Sequence, residues 1–236
     1  ACDEAIEIKP WEKESTSLAL LSEAIENKAI HPDIQDYFRK ISQEFSNIGI
    51  KHSIEKFPYL DYVVPVYQII SNAEASSNLA RFDGIRYGRR AKEASSIDET
   101  IIKSRSEGFG EEVKRRIMLG TYVLSEGYYD AYYNKAQKTR RLIKEHAEQL
   151  LQKHDFIILP TTPGPAFKLG AKNEDPIALY LEDLFTLQAS LSGLPAISLP
   201  LGKTRDGLPF GVQLIASAFK EADLLSFSKY LMERVS

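Results

Sequence analysis

The stretch DFIILPTTPGPAFKLGAKNEDPIALYLEDLFTLQASLSGLPAISLPLGKTRDGLPFGVQLIA, residues 155–216, decides the fold. Its apolar run FIILP has the length of a buried strand, and the Pro/Gly-rich loop that follows, 161–176, is long enough to carry a site. Asp175-Pro176 then opens a helix on which Ile177, Tyr180, Leu181, Leu184, Leu187 and Leu191 share one stripe. Asp183 falls at the margin of that stripe and Glu182 on the far side. Gly193 closes the helix, 196–199 is a second apolar strand, and Asp206-Gly207 turns the chain into a third strand over 210–215. Strand, helix, strand in that order predicts a βαβ crossover with an antiparallel neighbour added. The fold class is therefore α/β, a mixed β-sheet flanked by helices.

Working upstream, SEGFGEEVKRRIMLGTYVLSEGYYDAYYNKAQKTRR (106–141) is a helical run between Gly-punctuated segments. Val113, Ile117, Gly120 and Leu124 form one stripe. Arg116 sits on its flank and Arg115 points nearly the other way. Arg116 is thus expected to be at least partly buried. A buried guanidinium is costly without a carboxylate partner, so it belongs either to a structural ion pair or to a fixed cation offered to an anionic ligand. Tyr128, Tyr129, Tyr132 and Tyr133 cover about half of the next helix, 127–151, either as a face packed on a core or as a groove wall for a polar ligand.

The remaining segments are read in the same way. Residues 1–17 form an irregular lead-in with Pro10 and Trp11 as anchors against something upstream, and Ser15 or Ser17 caps a short helix in ESTSLALLSEAIENKAI. Pro32 begins a firmer helix over 33–47, with Ile34, Phe38, Ile41 and Phe45 inward. A strand over 48–57 places Ile50, His52 and Ile54 on one face, and a long, mostly buried helix over 59–79 holds Pro65 near its start or at a kink. Turn chemistry at 81–84 leads into a basic, polar loop, RYGRRAKEASS, before a helix capped by Ser96 with Glu99 in the capping-box position. A last helix spans 221–232. No repeat, low-complexity tract or obvious linker divides the chain, which reads as one domain preceded by a lead-in over about residues 1–30. The start is not Met and lacks periodicity, which reads as the continuation of a longer protein.

Composition narrows the function classes. The chain has 236 residues, 43% hydrophobic and 27% charged, the balance of a globular protein with a proper core. No apolar run approaches the roughly 18 residues of a membrane span. The single cysteine, Cys2, points to a reducing, cytoplasmic compartment. A net charge of −3 argues against a broad nucleic-acid surface but leaves room for a local basic patch. Neither common nucleotide loop is present, no G-x-S-x-G elbow occurs, and His31, His52, His146 and His154 lack metal-ligand spacing. Ser76-Ser77, in a helix with no base nearby in sequence, reads as packing or hydrogen bonding. What remains is a set of opposite charges at helix margins, Arg116 and Asp183, with Tyr67 on a third helix. They suit the carboxylate and ammonium of an amino acid, or they form structural ion pairs.

Five runs carry a family resemblance: NAEASSNLARFDGIRYG (72–88), the run 106–137, DFIILPTTPGPAF (155–167), DPIALYLEDLFT (175–186), and LSGLPAISLPLG with GLPFGVQLIA (191–216). From about residue 30 onward the chain resembles the C-terminal half of the glutamyl-tRNA(Gln) amidotransferase A subunits, within the amidase signature family. The resemblance implies a polypeptide that hydrolyses glutamine and passes ammonia to the B subunit of a heterotrimer, where ATP and magnesium activate Glu-tRNA(Gln) for conversion to Gln-tRNA(Gln). The C subunit holds the two together. It also implies that Tyr67, Arg116 and Asp183 recognise glutamine, Arg116 at the α-carboxylate and Asp183 at the α-ammonium. Catalysis in that family uses a Ser, cis-Ser, Lys triad whose serines lie in a Gly/Ser-rich run. No residue here matches it, so no catalytic residue is assigned, and the isolated chain is expected to be inactive. The alternatives are part of a stand-alone amidase for another carboxamide, or a non-catalytic module that docks partner proteins.

Overall fold

A computed structural model describes residues 7–12, 15–170 and 182–235. Five strands form one mixed sheet in the order β2-β1-β3-β5-β4: β1 Ser17–Leu21, β2 Lys51–Glu55, β3 Phe156–Pro160, β4 Ala196–Lys203 and β5 Pro209–Ala216. The helices are α1 Glu23–Glu26, α2 Pro32–Asn47, α3 Leu60–Leu79, α4 Ile97–Gly108, α5 Glu111–Leu124, α6 Lys135–Lys153, α7 Thr186–Ser192 and α8 Glu221–Met232. A π-helical turn, Tyr129–Asn134, runs into α6. The described fold divides into two compact units, Ala1–Val64 with Arg140–Ser236, which holds the sheet, and Pro65–Thr139.

The first correction concerns β1. Expected as a capped helix, SLALL is instead a strand, parallel to β2 (Ser17 opposite Lys51) and to β3 (Leu18 opposite Phe156). Leu and Ala favour helices, but Leu18, Ala19, Leu20 and Leu21 are all 0% exposed, as in a parallel strand covered on both faces. Such a strand has no alternation to betray it. Ser17 fixes the register rather than capping a helix. Its amide and hydroxyl donate to Asp155 Oδ2 at 2.9 and 3.3 Å, and the Asp155 amide donates to the Ser17 carbonyl at 2.9 Å.

β3, α7 and β4 follow the predicted order, with a refinement. β5 is antiparallel to both strands and lies between them, so the crossover skips one position. The predicted helix from Asp175 is described only as α7, and its Ile177, Tyr180 and Leu181 lie outside the described residues. Gly193 ends α7 at φ +69° as expected.

Trp11 packs on the core of the sheet-bearing unit. Its ring lies 5.7 Å from Phe156 and 5.3 Å from Phe227, and its Nε1 donates to Thr16 Oγ1 at 2.8 Å. On the edge strand β2, Ile54 is 62% exposed, although alternation assigns it the same face as the buried Ile50. The helices beside the sheet follow their sequence signals. Ile34, Phe38, Ile41 and Phe45 of α2 are buried, its Pro32 stands at the first helical position, and His31 Nδ1 accepts from the Asp33 amide. α8 packs on β4 and β5 and stacks Phe227 on Phe156 at 4.6 Å. In the second unit, α3 is less buried than expected. Val66, Asn72 and Ala73 are covered while most of its other residues there are partly exposed.

Candidate functional site

The unit Pro65–Thr139 holds Tyr67 on α3 and Arg116 on α5. These helices meet through a small residue. A Cβ at Gly120 would lie 2.0 Å from the Asn72 carbonyl oxygen and 2.5 Å from Ser76 Cβ, so only glycine permits the approach. Beside it, the hydroxyls of Ser76 and Thr121 bond at 2.9 Å, which accounts for the mid-helix serine. Arg116 lies about one turn before this contact along α5, and Tyr67, half-buried, about a turn and a half before it along α3.

Glu112 is what sequence reasoning missed. Its carboxylate takes Arg115 Nη1 at 2.7 Å and Arg116 Nε at 3.0 Å, a three- and four-residue spacing that is legible in EEVKRR. Arg116 has 39% of its side chain exposed, so it is only partly buried, and its carboxylate partner stands on its own helix. A guanidinium gripped at Nε by a neighbour one turn away is fixed in orientation. The acidic first turn, Glu111 and Glu112, also suits the positive end of α5.

The tyrosines do not form a core-packed face. Tyr122, Tyr128, Tyr129 and Tyr132 expose between 42% and 44% of their surface, and the rings meet one another at a tilt, with the centroids of Tyr122 and Tyr128 4.3 Å apart and those of Tyr129 and Tyr133 5.2 Å apart. The Tyr128 hydroxyl bonded to it, with partial burial and the nearby Tyr132, pushes the Tyr122 phenol up to about 12.

In the sheet-bearing unit, Asp183 is exposed in the turn that precedes α7, not on the margin of a longer helix. The turn around it is well held. Leu187 N–H and Thr186 Oγ1 donate to the Asp183 carbonyl at 3.1 and 3.0 Å, Gln213 Nε2 donates to the Phe185 carbonyl at 3.1 Å, and Arg140 Nε donates to the Leu191 carbonyl at 2.9 Å. Leu184 and Phe185 are buried beneath it. No ion pair of the Asp183 carboxylate is formed among the described residues. The structure thus puts Tyr67 and Arg116 on packed helices, and Asp183 on an anchored turn of the other unit. Among the described residues, no group of three or more His, Cys, Asp or Glu is placed to hold a metal ion, and no helix is long and apolar enough to cross a membrane.

Comparison with known proteins gives a consistent result. The family model described as Amidase matches residues 12–225. A curated relative from Koribacter versatilis, named as the A subunit of glutamyl-tRNA(Gln) amidotransferase, is 50% identical over 84% of this chain and 41% of its own length. One of the same name from Caldanaerobacter subterraneus is 43% identical over 97% of this chain and 54% of its own. A crystal structure of the protein of that name from Thermotoga maritima superposes with a TM-score of 0.67 at 36% identity, covering 92% of this chain and 42% of that one. A second solved structure, titled an amidase, shares the fold at a TM-score of 0.73 and 20% identity. The chain spans about half or less of the length of these relatives. With its mixed sheet, its ordered motifs and a family match over nearly its whole length, the chain belongs to the amidase family.

Proposed function

We propose that this chain is the glutamine-binding part of the A subunit of a glutamine-dependent Glu-tRNA(Gln) amidotransferase. In this reading glutamine yields the ammonia that converts Glu-tRNA(Gln) to Gln-tRNA(Gln) in the cytoplasm. Arg116 takes the α-carboxylate, Asp183 the α-ammonium, and Tyr67 adds a hydroxyl to the ligand. A zwitterion needs one cation and one anion held on rigid elements, and ionised partners make its hydrogen bonds the stronger ones. The B and C subunits are the partners, with ATP and magnesium serving the B subunit.

The observation that carries the reading is the setting of Arg116. The Glu112 carboxylate orients it from one turn away, on a helix locked to its neighbour through Gly120. The names of relatives 43% to 50% identical to this chain support the amidotransferase A-subunit part of the reading. No residue matches the Gly/Ser-rich run that supplies the family's nucleophile, so the chain by itself is proposed not to turn glutamine over. Calorimetry with L-glutamine, acetamide and propionamide tests the ligand. L-glutamine alone is expected to bind, and equal binding of the simple amides would replace this reading with that of a general amidase. A glutaminase assay on the purified chain is expected to stay at the blank. Turnover above it would overturn the claim of inactivity.

A further inference from the structure

The loop between α3 and α4 is both basic and held rigid. Its stretch RFDGIRYGRRAK, residues 81–92, carries Arg81, Arg86, Arg89, Arg90 and Lys92 against the carboxylate of Asp83, with Glu93 following as the loop's second acid, within a chain of net charge −3. Its backbone is tied at several points. Asp83 Oδ1 accepts the amides of Ile85 and Arg86 at 2.8 and 2.9 Å, and the Gly84 amide donates to the Tyr87 carbonyl at 3.0 Å. The Ala91 amide donates to the buried Ser104 hydroxyl at 2.9 Å, and Arg105 reaches the carbonyls of Leu79 and Phe82 at 2.8 and 3.1 Å. Gly84, at φ +75°, is pressed so closely on α4 that a Cβ would lie 2.2 Å from Ser104 Oγ. The amides of Arg86 and Ile85 hold the Asp83 carboxyl below its usual range, which commits that carboxylate to the turn.

Arg89 pairs with Glu107 at 3.2 Å, and Arg81 bonds the Asn78 carbonyl. Lys103 is taken up by Glu99 and the Glu93 carbonyl. Arg86, Arg90 and Lys92 are exposed and form no ion pair among the described residues. Beside them, Tyr87 is 59% exposed and Ile85 44%.

We propose that this loop is a contact surface for a polynucleotide phosphate backbone bearing an unstacked base, the chemistry of a single-stranded RNA end. Guanidinium groups meet phosphates bidentately, and an exposed aromatic ring stacks on any base. The loop is already ordered, so binding loses little conformational freedom there. A tyrosine ring also serves protein interfaces, so an acidic protein is the competing occupant that the competition experiment below separates. The surface lies wholly within one unit and does not depend on the glutamine reading.

Anisotropy titration of the whole chain into a fluorescein-labelled tRNA transcript tests it. Binding should weaken with salt, log K falling against log salt with a slope of about −2 to −3, as for three phosphates. The triple variant Arg86→Ala, Arg90→Ala, Lys92→Ala should lose at least about tenfold in affinity and most of that slope. Tyr87→Ala should lose roughly threefold and keep the slope. Arg90→Glu alone should weaken binding too, and serves if the triple variant does not fold as judged by its thermal melt. Absence of binding by the parent chain, or unchanged affinity in the folded variants, would overturn the proposal. Competition by poly-L-glutamate as strong as by RNA of equal charge would also overturn it, in favour of an acidic protein. Calorimetry with L-glutamine on the same variants is expected to be unchanged, so failure here is separable from failure of the glutamine reading.

Discussion

Gly120 shows at the scale of one residue how magnitude decides sign. In an ordinary helix interior, Gly→Ala gains about 1 kcal/mol from helix propensity. Here the added methyl would lie 2.0 Å from a backbone carbonyl, which cannot swing away as a flexible side chain can, and overpacking of this kind costs about 1–3 kcal/mol or more. The clash wins. Gly120→Ala should lower stability by about 1–2 kcal/mol in urea titration, with Gly108→Ala, where nothing lies within 4 Å, showing no such loss. The Glu112–Arg116 pair makes the opposite point. A half-exposed pair one helical turn apart contributes only about 0.3–0.5 kcal/mol, so its consequence lies in where the guanidinium points and not in stability. The sequence pattern places Arg116 at the edge of an apolar stripe, but it leaves open which carboxylate meets it. Glu112 answers that through a spacing already present in EEVKRR.

Among the elements, those with amphipathic periodicity or clear end signals are the legible ones. α2, with its Pro32 start and four inward apolar positions, and α8 coincide with expectation. α4 begins at the expected cap, Ser96 Oγ accepting from the Glu99 amide at 3.1 Å, although the return bond from Glu99 goes to the Ser95 amide at 2.7 Å. β1 is illegible because a strand covered on both faces has no alternation and LALL is made of helix formers, so only its partners reveal it. Glu99 also gives α4 a pH signature. Lys103, together with the Ser95 hydroxyl and amide, holds its carboxyl at about 2, below the unfolded value. A depressed folded pKa contributes stability that is fully present above the unfolded pKa, near 4.3, and is lost as pH falls through about 2. NMR titration should place the Glu99 midpoint near 2. Amide exchange at the first turn of α4 should accelerate as pH drops across that window, relative to the intrinsic rate, and Glu99→Gln should remove the pH dependence.

At the scale of the whole molecule, the sheet supplies a buried scaffold, with Leu18–Leu21 and Phe156–Leu159 at 0–1% exposure, and the turn bearing Asp183 is bonded to it through Gln213 of β5. The second unit supplies Tyr67 and Arg116 on helices that pack through Gly120. Its tyrosine run, legible as a helix face, is a π-helical turn whose rings pack against one another at a tilt, because four tyrosines in GYYDAYY find their contacts locally. Calorimetric titration of L-glutamine into the chain and into its Arg116→Ala and Asp183→Ala variants tests the proposed glutamine reading most directly. Binding by the parent chain, weakened at least about tenfold in each variant with the thermal melts unchanged, is the predicted result. Glutamine affinity that is undiminished in both variants, or absent from the parent chain, would contradict it.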